Sequence, residues 1–241
     1  MKPKTYAYDN QRVFVKRSQG GYESDMRGWA QITAKGHREY LPGIDPERCA
    51  LIVIDLSKQD HSVWPEQISK YDQSLADAML QRTRDVVLPN VRRILDLFRK
   101  HGMLVVYFTL AKDDVLPEIM PVEGEILLSK FSSGAFATSP LDLLLREHGV
   151  ATLFFVGAAT NGCVDHTMSS AYDRSYQVIL VEDGCRGSRP DLHEAAVKIW
   201  AHKGLVRTTD QVVSDYPWDC WVDPKVKDPQ TTRVQSGWWQ A

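Results

Sequence analysis

Cysteine is scarce in this chain: four residues, at positions 49, 163, 185 and 220, among 241. Four are too few for a disulfide-stapled scaffold, and none forms the Cys-x-x-Cys pair of a zinc site or a thioredoxin-like exchange centre. Long apolar runs are also missing. The longest, such as Ala50 to Ile54, are strand-sized, far below the roughly 20 residues a membrane helix needs. Charge of one sign is not in excess: 29 Lys+Arg stand against 31 Asp+Glu, a formal net charge of −2, with no block of five or more like charges. That balance excludes the electrostatic footprint of a nucleic-acid or anionic-membrane partner and favours small molecules or other subunits. The segment Met1-Lys-Pro-Lys-Thr-Tyr-Ala-Tyr-Asp-Asn10 has neither an apolar stretch nor a small-residue cleavage site, so no secretory signal is expected there. Together with the sparse cysteines, this points to a reducing, cytoplasmic setting.

What is present is ordinary globular material: 43% hydrophobic and 25% charged residues, enough for a sizeable core. Residues 1–44 read as a polar, glycine-dotted, aromatic-sprinkled flank without a sustained period of 2 or 3.6. A repeating grammar then begins. Cys49 to Asp55 is a β-branched apolar run closed by an acid, as a strand buried on both faces would be. Ala76 to His101 carries Val87, Val91, Ile94, Leu95 and Phe98 at helical spacing and stops at Gly102. Further strands are predicted at Met103–Thr109, Glu125–Leu128, Thr152–Val156, Gln177–Val181 and Leu205–Arg207. Helices are predicted after Ser139-Pro140 as far as Gly149, over Cys163–Arg174, and over about Pro190–Lys203. Strands alternating with helices imply right-handed βαβ crossovers, a parallel sheet and a three-layer α/β domain over 45–210. Residues 211–241 form a tail that, from Asp215 on, holds four of the seven tryptophans: Trp218, Trp221, Trp238 and Trp239. They would dock on their own domain, cross into a neighbouring subunit or roof its pocket.

In such sheets the ligand crevice opens beyond the carboxyl ends of the strands. Asp55, Thr109, Lys130 and the loop Gly157-Ala-Ala-Thr-Asn-Gly-Cys163-Val should converge there. Each member has a plain structural reading: Asp55 as a cap, Lys130 as a solvated charge, Cys163 as a buried thiol. Their combination points to chemistry. A loop that delivers a helix amino terminus lowers a thiol pKa and favours an oxyanion, a nearby lysine lowers it further, and a carboxylate can take the proton.

Three ordered motifs, Ala50-Leu-Ile-Val-Ile-Asp55, Leu128-Ser-Lys130 with Ser133-Gly-Ala-Phe136, and Val156-Gly-Ala-Ala-Thr-Asn-Gly-Cys163-Val, resemble the isochorismatase-like cysteine hydrolase superfamily over about residues 45–210. The segment Glu182-Asp183-Gly-Cys185 is similar to the family's strand end before a helix. The resemblance implies a three-layer α/β/α, Rossmann-like fold with a six-stranded, mainly parallel sheet, and Asp55, Lys130 and Cys163 as a catalytic triad. It also implies a cis peptide at Ala158–Ala159 that aims the Ala159 N–H, with that of Cys163, at an oxyanion. The resemblance also implies a homo-oligomer, a dimer or tetramer, as the assembly.

Metal-dependent relatives place ligands through an Asp-x-His pair and a further histidine. Here Thr109-Leu-Ala-Lys-Asp-Asp-Val-Leu-Pro117 continues to Lys130 without a histidine, so Asp113 and Asp114 read as loop carboxylates and no metal or other cofactor is expected. His166, in Cys163-Val-Asp-His166, lacks clustered ligands and is expected to line or support the pocket. The cysteine favours C–N over vinyl-ether cleavage, and the metal-free branch that the chain resembles comprises N-carbamoylsarcosine, ureidoacrylate and biuret amidohydrolases. The expected substrate is therefore a small amide, carbamoyl or ureido compound. Ile44 to Leu51 and Thr160-Asn161 look nearest the ureidoacrylate type, whereas Leu56-Ser57-Lys58 departs from the family's common Met-Gln-Asn. Trp64, Phe136 and Asn161 are candidate substrate contacts, with core packing or loop stabilisation as the alternative for each. Arg186 and Arg189 are candidates for a substrate carboxylate or for a solvated helix entrance. A nucleotide-binding module fails on its fingerprint, since Gly157 to Gly162 is neither GxGxxG nor a P-loop. A hydrolase acting on another bond, a noncatalytic small-molecule binder and a redox-sensing thiol remain as alternatives.

Overall fold

The computed structural model describes residues 46–110, 114–202 and 206–215, together with the backbone of three short strands nearer the amino terminus. Those strands, β1 (Thr5–Ala7), β2 (Val13–Lys16) and β3 (Tyr22–Ser24), pair antiparallel in the order β1-β2-β3. They lie in the flank where the sequence shows no period, because strands of three or four residues are too short to display one. The tryptophans of the tail lie outside the described residues.

The main sheet has six strands, all parallel, in the order β6-β5-β4-β7-β8-β9. They are β4 (Cys49–Ile54), β5 (Leu104–Thr109), β6 (Ile126–Ser129), β7 (Thr152–Ala158), β8 (Gln177–Arg186) and β9 (Val206–Arg207). Between them run α1 (Lys58–Ser69), α2 (Gln73–Arg82), α3 (Leu88–Lys100), α4 (Ala135–Thr138), α5 (Leu141–Glu147), α6 (Asp165–Asp173) and α7 (Pro190–His202), with α8 (Thr209–Asp215) following β9. The expected three-layer α/β/α fold with a six-stranded parallel sheet is therefore what the chain forms.

The period of two along β4 divides the core. Cys49, Leu51 and Val53 face one side, packed with Val91, Ile94, Leu95 and Phe98 of α3 and Val212 of α8. Ala50, Ile52 and Ile54 face the other, with Leu141, Leu145, Met168, Ala171 and Trp200. Each fully buried aliphatic side chain contributes about 1.5–3 kcal/mol, and Phe98 also meets Phe154 edge to face at 5.5 Å between centroids. These two apolar faces explain why the strand reads as one continuous hydrophobic run.

Besides the flank strands and the short helices α4 and α8, which the sequence reading lacks, three elements differ from it. The helix expected over 76–101 is α2 and α3 joined through a π turn, Thr83–Val87, where Thr83 Oγ1 donates to Met79 O at 2.9 Å. Helix α1 was not expected: its residues Lys58–Ser69 have weak amphipathic patterning and contain Pro65. Strand β8 runs on past Val181 through Glu182 and Asp183, because a register shift pairs Phe155 with Leu180 but Gly157 with Cys185. The polar residues in the irregular stretch are used: Asp183 Oδ1 accepts from Thr209 N and Oγ1, both at 2.8 Å, at the start of α8. No described helix is long and apolar enough to cross a membrane.

Candidate active site

The carboxyl ends of β4, β5, β6, β7 and β8 open onto a cavity of about 360 Å³. Asp55 directly follows β4. Its N–H donates to Phe108 O at 2.9 Å, extending the β4–β5 ladder, while its φ of +49° turns the chain out of the sheet. Aspartate tolerates this left-handed conformation better than most residues. Next to it, Gly157 has φ +132°, and a Cβ there would collide with the Ile54 backbone. Glycine is required where β7 passes so close to the end of β4.

Lys130 follows β6, its N–H donating to Thr109 O at 3.1 Å. Its side chain turns inward and is only 1% exposed as a residue. Nζ lies 2.7 Å from Asp55 Oδ2 and donates to Ser132 O at 3.2 Å. A buried ammonium needs such a partner. Burial works against the Lys130 charge, but the Asp55 carboxylate and then the Cys163 thiol outweigh it, leaving the lysine pKa raised. Asp55 Oδ1, the other carboxylate oxygen, is buried and has no hydrogen-bond partner among the described residues.

Cys163 reaches the same cavity from the turn Thr160–Val164 between β7 and α6. The Ala158–Ala159 peptide is cis, as the family resemblance implies, and Ala159 O accepts from Gly162 N at 2.9 Å and Val164 N at 3.2 Å. The thiol differs from expectation in one respect. Burial first, and the Asp55 carboxylate second, push its pKa up to about 11, with Lys130 only partly opposing them. The lysine does not outweigh desolvation and the carboxylate here. The resting cysteine is therefore held as a thiol.

Of the other predicted contacts, Trp64 lines the cavity from α1 and is 53% exposed. Phe136 does not line it: buried in the core, it packs against Tyr176 at 5.9 Å and under the Arg174 guanidinium at 5.0 Å. Asn161 is a loop clamp. Its Oδ1 accepts from Ser188 N at 2.9 Å and its Nδ2 donates to Ser188 Oγ at 2.9 Å, which ties the turn before Cys163 to the end of β8. His166, on α6, is exposed and lies outside the lining. Arg189 pairs with Asp191 at the surface, at 2.9 Å. Arg186, by contrast, is buried and lines the cavity from the carboxyl end of β8, where it pairs with Ala158, the last residue of β7.

The remaining walls were not legible beforehand. Ile68 and Met79 come from α1 and α2, Leu110 directly follows β5, and Phe131 follows Lys130 after β6. Phe131 sits beside Lys130 in sequence, and that adjacency is the one signal that could have nominated it. Asp114 binds locally, its Oδ2 accepting from Gln59 N at 3.2 Å, and no group of three or more potential metal ligands occurs among the described residues. Asp113 lies outside those residues.

A doubly wound parallel sheet with this cavity at its strand ends defines an α/β enzyme architecture. The chain belongs to the isochorismatase family of hydrolases: the Isochorismatase domain matches residues 49–211. It is 29% identical over 195 residues to the uncharacterized isochorismatase family protein YwoC of Bacillus subtilis (strain 168), covering 70% of this chain and 94% of that one. It is 26% identical over 192 residues to the ureidoacrylate amidohydrolase RutB of Klebsiella pneumoniae (strain 342), covering 63% and 78%. Among solved structures, a cysteine hydrolase from Pseudomonas syringae pv. phaseolicola 1448A superposes with a TM-score of 0.61 at 21% identity, covering 74% of this chain and 96% of that one. N-carbamoylsarcosine amidase from Thermoplasma acidophilum superposes with a TM-score of 0.52 at 23% identity, covering 68% and 97%. These two structures share the fold.

Proposed function

We propose that the protein is a cysteine-dependent amidohydrolase that cleaves a C–N bond of an amide, carbamoyl or ureido compound through a thioester on Cys163. The observation that carries this reading is the unpartnered, buried Asp55 Oδ1 beside the Lys130 ion pair, in the cavity that also holds Cys163. A buried acceptor left unsatisfied costs about 1–3 kcal/mol, and a thiol proton is a partner its chemistry suits. The names of two relatives, a ureidoacrylate amidohydrolase and an N-carbamoylsarcosine amidase, support C–N chemistry.

In this mechanism Asp55 Oδ1 takes the thiol proton as Cys163 Sγ attacks the carbonyl carbon, and Lys130 balances the charge that gathers on the pair. The Ala159 and Cys163 N–H groups hold the carbonyl oxygen as it becomes an oxyanion. The C–N bond then breaks, Asp55 returns the proton to the departing nitrogen, and ammonia or an amine leaves. Water, deprotonated by Asp55, attacks the thioester; the C–S bond breaks, the thiol regains its proton and the acid is released. Each step conserves the single proton that Asp55 carries. Arg186 suits an anionic end of the substrate, while Trp64, Ile68, Met79 and Leu110 suit an apolar flank.

The test is an ammonia-release screen over carbamoyl, primary amide and ureido compounds, with intact-mass trapping of the acyl enzyme and Cys163→Ser as control. Turnover by the native protein, an added acyl mass on Cys163 and a silent, folded Cys163→Ser variant are expected. A fully active Cys163→Ala protein would overturn the reading.

A further inference from the structure

The loop that carries Cys163 is tied to two helices through a chain of side chains that takes no part in the bond making proposed above. Arg82 ends α2, His193 stands in the first turn of α7, and Thr160 opens the turn Thr160–Val164. His193 Nε2 lies 2.9 Å from Arg82 Nη2, and His193 Nδ1 lies 2.8 Å from Thr160 Oγ1. A guanidinium only donates, so Nε2 is the acceptor. Burial and the Arg82 charge push the His193 pKa down to about 4, so the ring is neutral near pH 7. A neutral ring that accepts at Nε2 carries its proton on Nδ1. The donor–acceptor order is thereby fixed along the chain: Arg82 donates to His193, and His193 donates to Thr160.

Both ends of this chain are anchored. Arg82 Nε donates to Cys185 O at 3.1 Å and Arg82 Nη2 to Glu182 O at 3.4 Å, both on β8, so the guanidinium is held against the sheet. Gly187 lets α7 approach: a Cβ at that position would stand 2.7 Å from His193 Cβ and 2.9 Å from His193 N. Thr160 is buried, next to Ala159 and three residues before Cys163. The neighbouring clamp from Asn161 to Ser188 holds the turn's other polar side chain. Neither Arg82 nor His193 is among the described residues that line the cavity, so their effect on chemistry passes through the turn.

We propose that Arg82, His193 and Thr160 form a positioning relay that holds the nucleophile turn in register with Asp55 and Lys130, with His193 and Thr160 as positioning residues. This rests on the reading of Cys163 as the nucleophile. Because misplacing a reacting atom by about 1 Å costs on the order of 100-fold in rate, loosening the turn lowers kcat about 10- to 100-fold with little change in KM. It also frees the thiol from the burial that raises its pKa, so Cys163 alkylates faster as turnover falls.

The experiment compares Thr160→Val, His193→Leu, their combination and His193→Asn with the native protein. Three quantities are read: kcat and KM, the rate of Cys163 alkylation by iodoacetamide at pH 8 with peptide mapping, and Tm. Thr160→Val and His193→Leu are each expected to lower kcat and to speed Cys163 alkylation at least threefold, while the buried Cys49 and Cys185 stay unmodified. The double variant should be no worse than the worse single one, as for residues acting through one chain. His193→Asn, whose amide can still donate to Thr160, should recover most of the loss. The relay is refuted if Thr160→Val leaves both kcat and Cys163 alkylation within twofold, if the single losses multiply, or if Cys49 and Cys185 become reactive together with Cys163. If the native protein is silent across the substrate screen, the catalytic reading fails, while the alkylation arm still decides the relay.

Discussion

Replacing Asp55 with asparagine should move two properties of Cys163 in opposite directions. In the native site the thiol pKa stands at about 11, raised by burial first and by the Asp55 carboxylate second, against the opposing pull of Lys130. Asparagine keeps the size and removes the charge. A carboxylate at this range is worth about 1–3 pKa units, so the thiol should fall to about 8–10, with Lys130 now drawn to the thiolate. At pH 8 the thiolate fraction then rises from about 0.1% to between about 1% and 50%. Nucleophilicity falls as pKa falls, with a Brønsted slope of about 0.4–0.5, which reduces the net gain to about 3- to 30-fold. Turnover should move the other way and fall by about 100-fold or more, because the proton acceptor has gone. The assay is pseudo-first-order alkylation with iodoacetamide from pH 6 to 11, mapped to Cys163, beside kcat on the same preparations. Alkylation of Asp55→Asn that is equal to or slower than native at pH 8 would refute the reasoning, since the carboxylate would not be what holds the proton on sulfur.

The other expectations follow from single contacts. Lys130→Met leaves a buried carboxylate without its ammonium and should cost about 3–5 kcal/mol by urea denaturation, with Asp55→Asn/Lys130→Met regaining part of it; an unchanged midpoint would mean that the 2.7 Å pair is solvated. His193 has its pKa lowered to about 4 in the fold against 6.5 unfolded. The unfolded chain therefore binds more protons between those values, so the stabilisation is present above pH 6.5 and is lost as pH falls through about 4. That loss is a few kcal/mol, read as a steep decline of Tm from pH 6.5 to 4 that flattens in His193→Asn. Gly157→Ala should reduce soluble yield or lower Tm by more than 10 °C, since a Cβ there meets the Ile54 backbone and not a movable side chain.

The alternation of apolar strands with amphipathic helices was sufficient for the parallel three-layer architecture, because strands buried on both faces leave unbroken runs such as Cys49–Ile54. Ordered motifs were sufficient to nominate Asp55, Lys130 and Cys163, since each directly follows or closely trails a strand. Elements without periodic signal were not legible: α1 with its internal proline, the strands of the flank, and the irregular β8. Side-chain destinations were legible only where they followed from strand ends. Phe136 and Trp64 are both aromatic residues trailing a motif, yet one enters the core and the other the cavity wall.

The sequence by itself determined that Asp55, Lys130 and the Cys163 loop arrive at the carboxyl edge of the sheet, because in a parallel sheet every segment that trails a strand starts at that edge. Only the tertiary structure decided what those residues are once they meet. Lys130 becomes a buried ammonium paired with Asp55, Arg186 becomes a cavity cation, and Cys163 becomes a proton-holding thiol instead of the acidified one expected of its helix entrance. Desolvation and through-space charge act between residues far apart in the chain, and no local pattern encodes them. The same holds for His193, an unremarked helix residue whose proton is placed by an arginine 111 positions away.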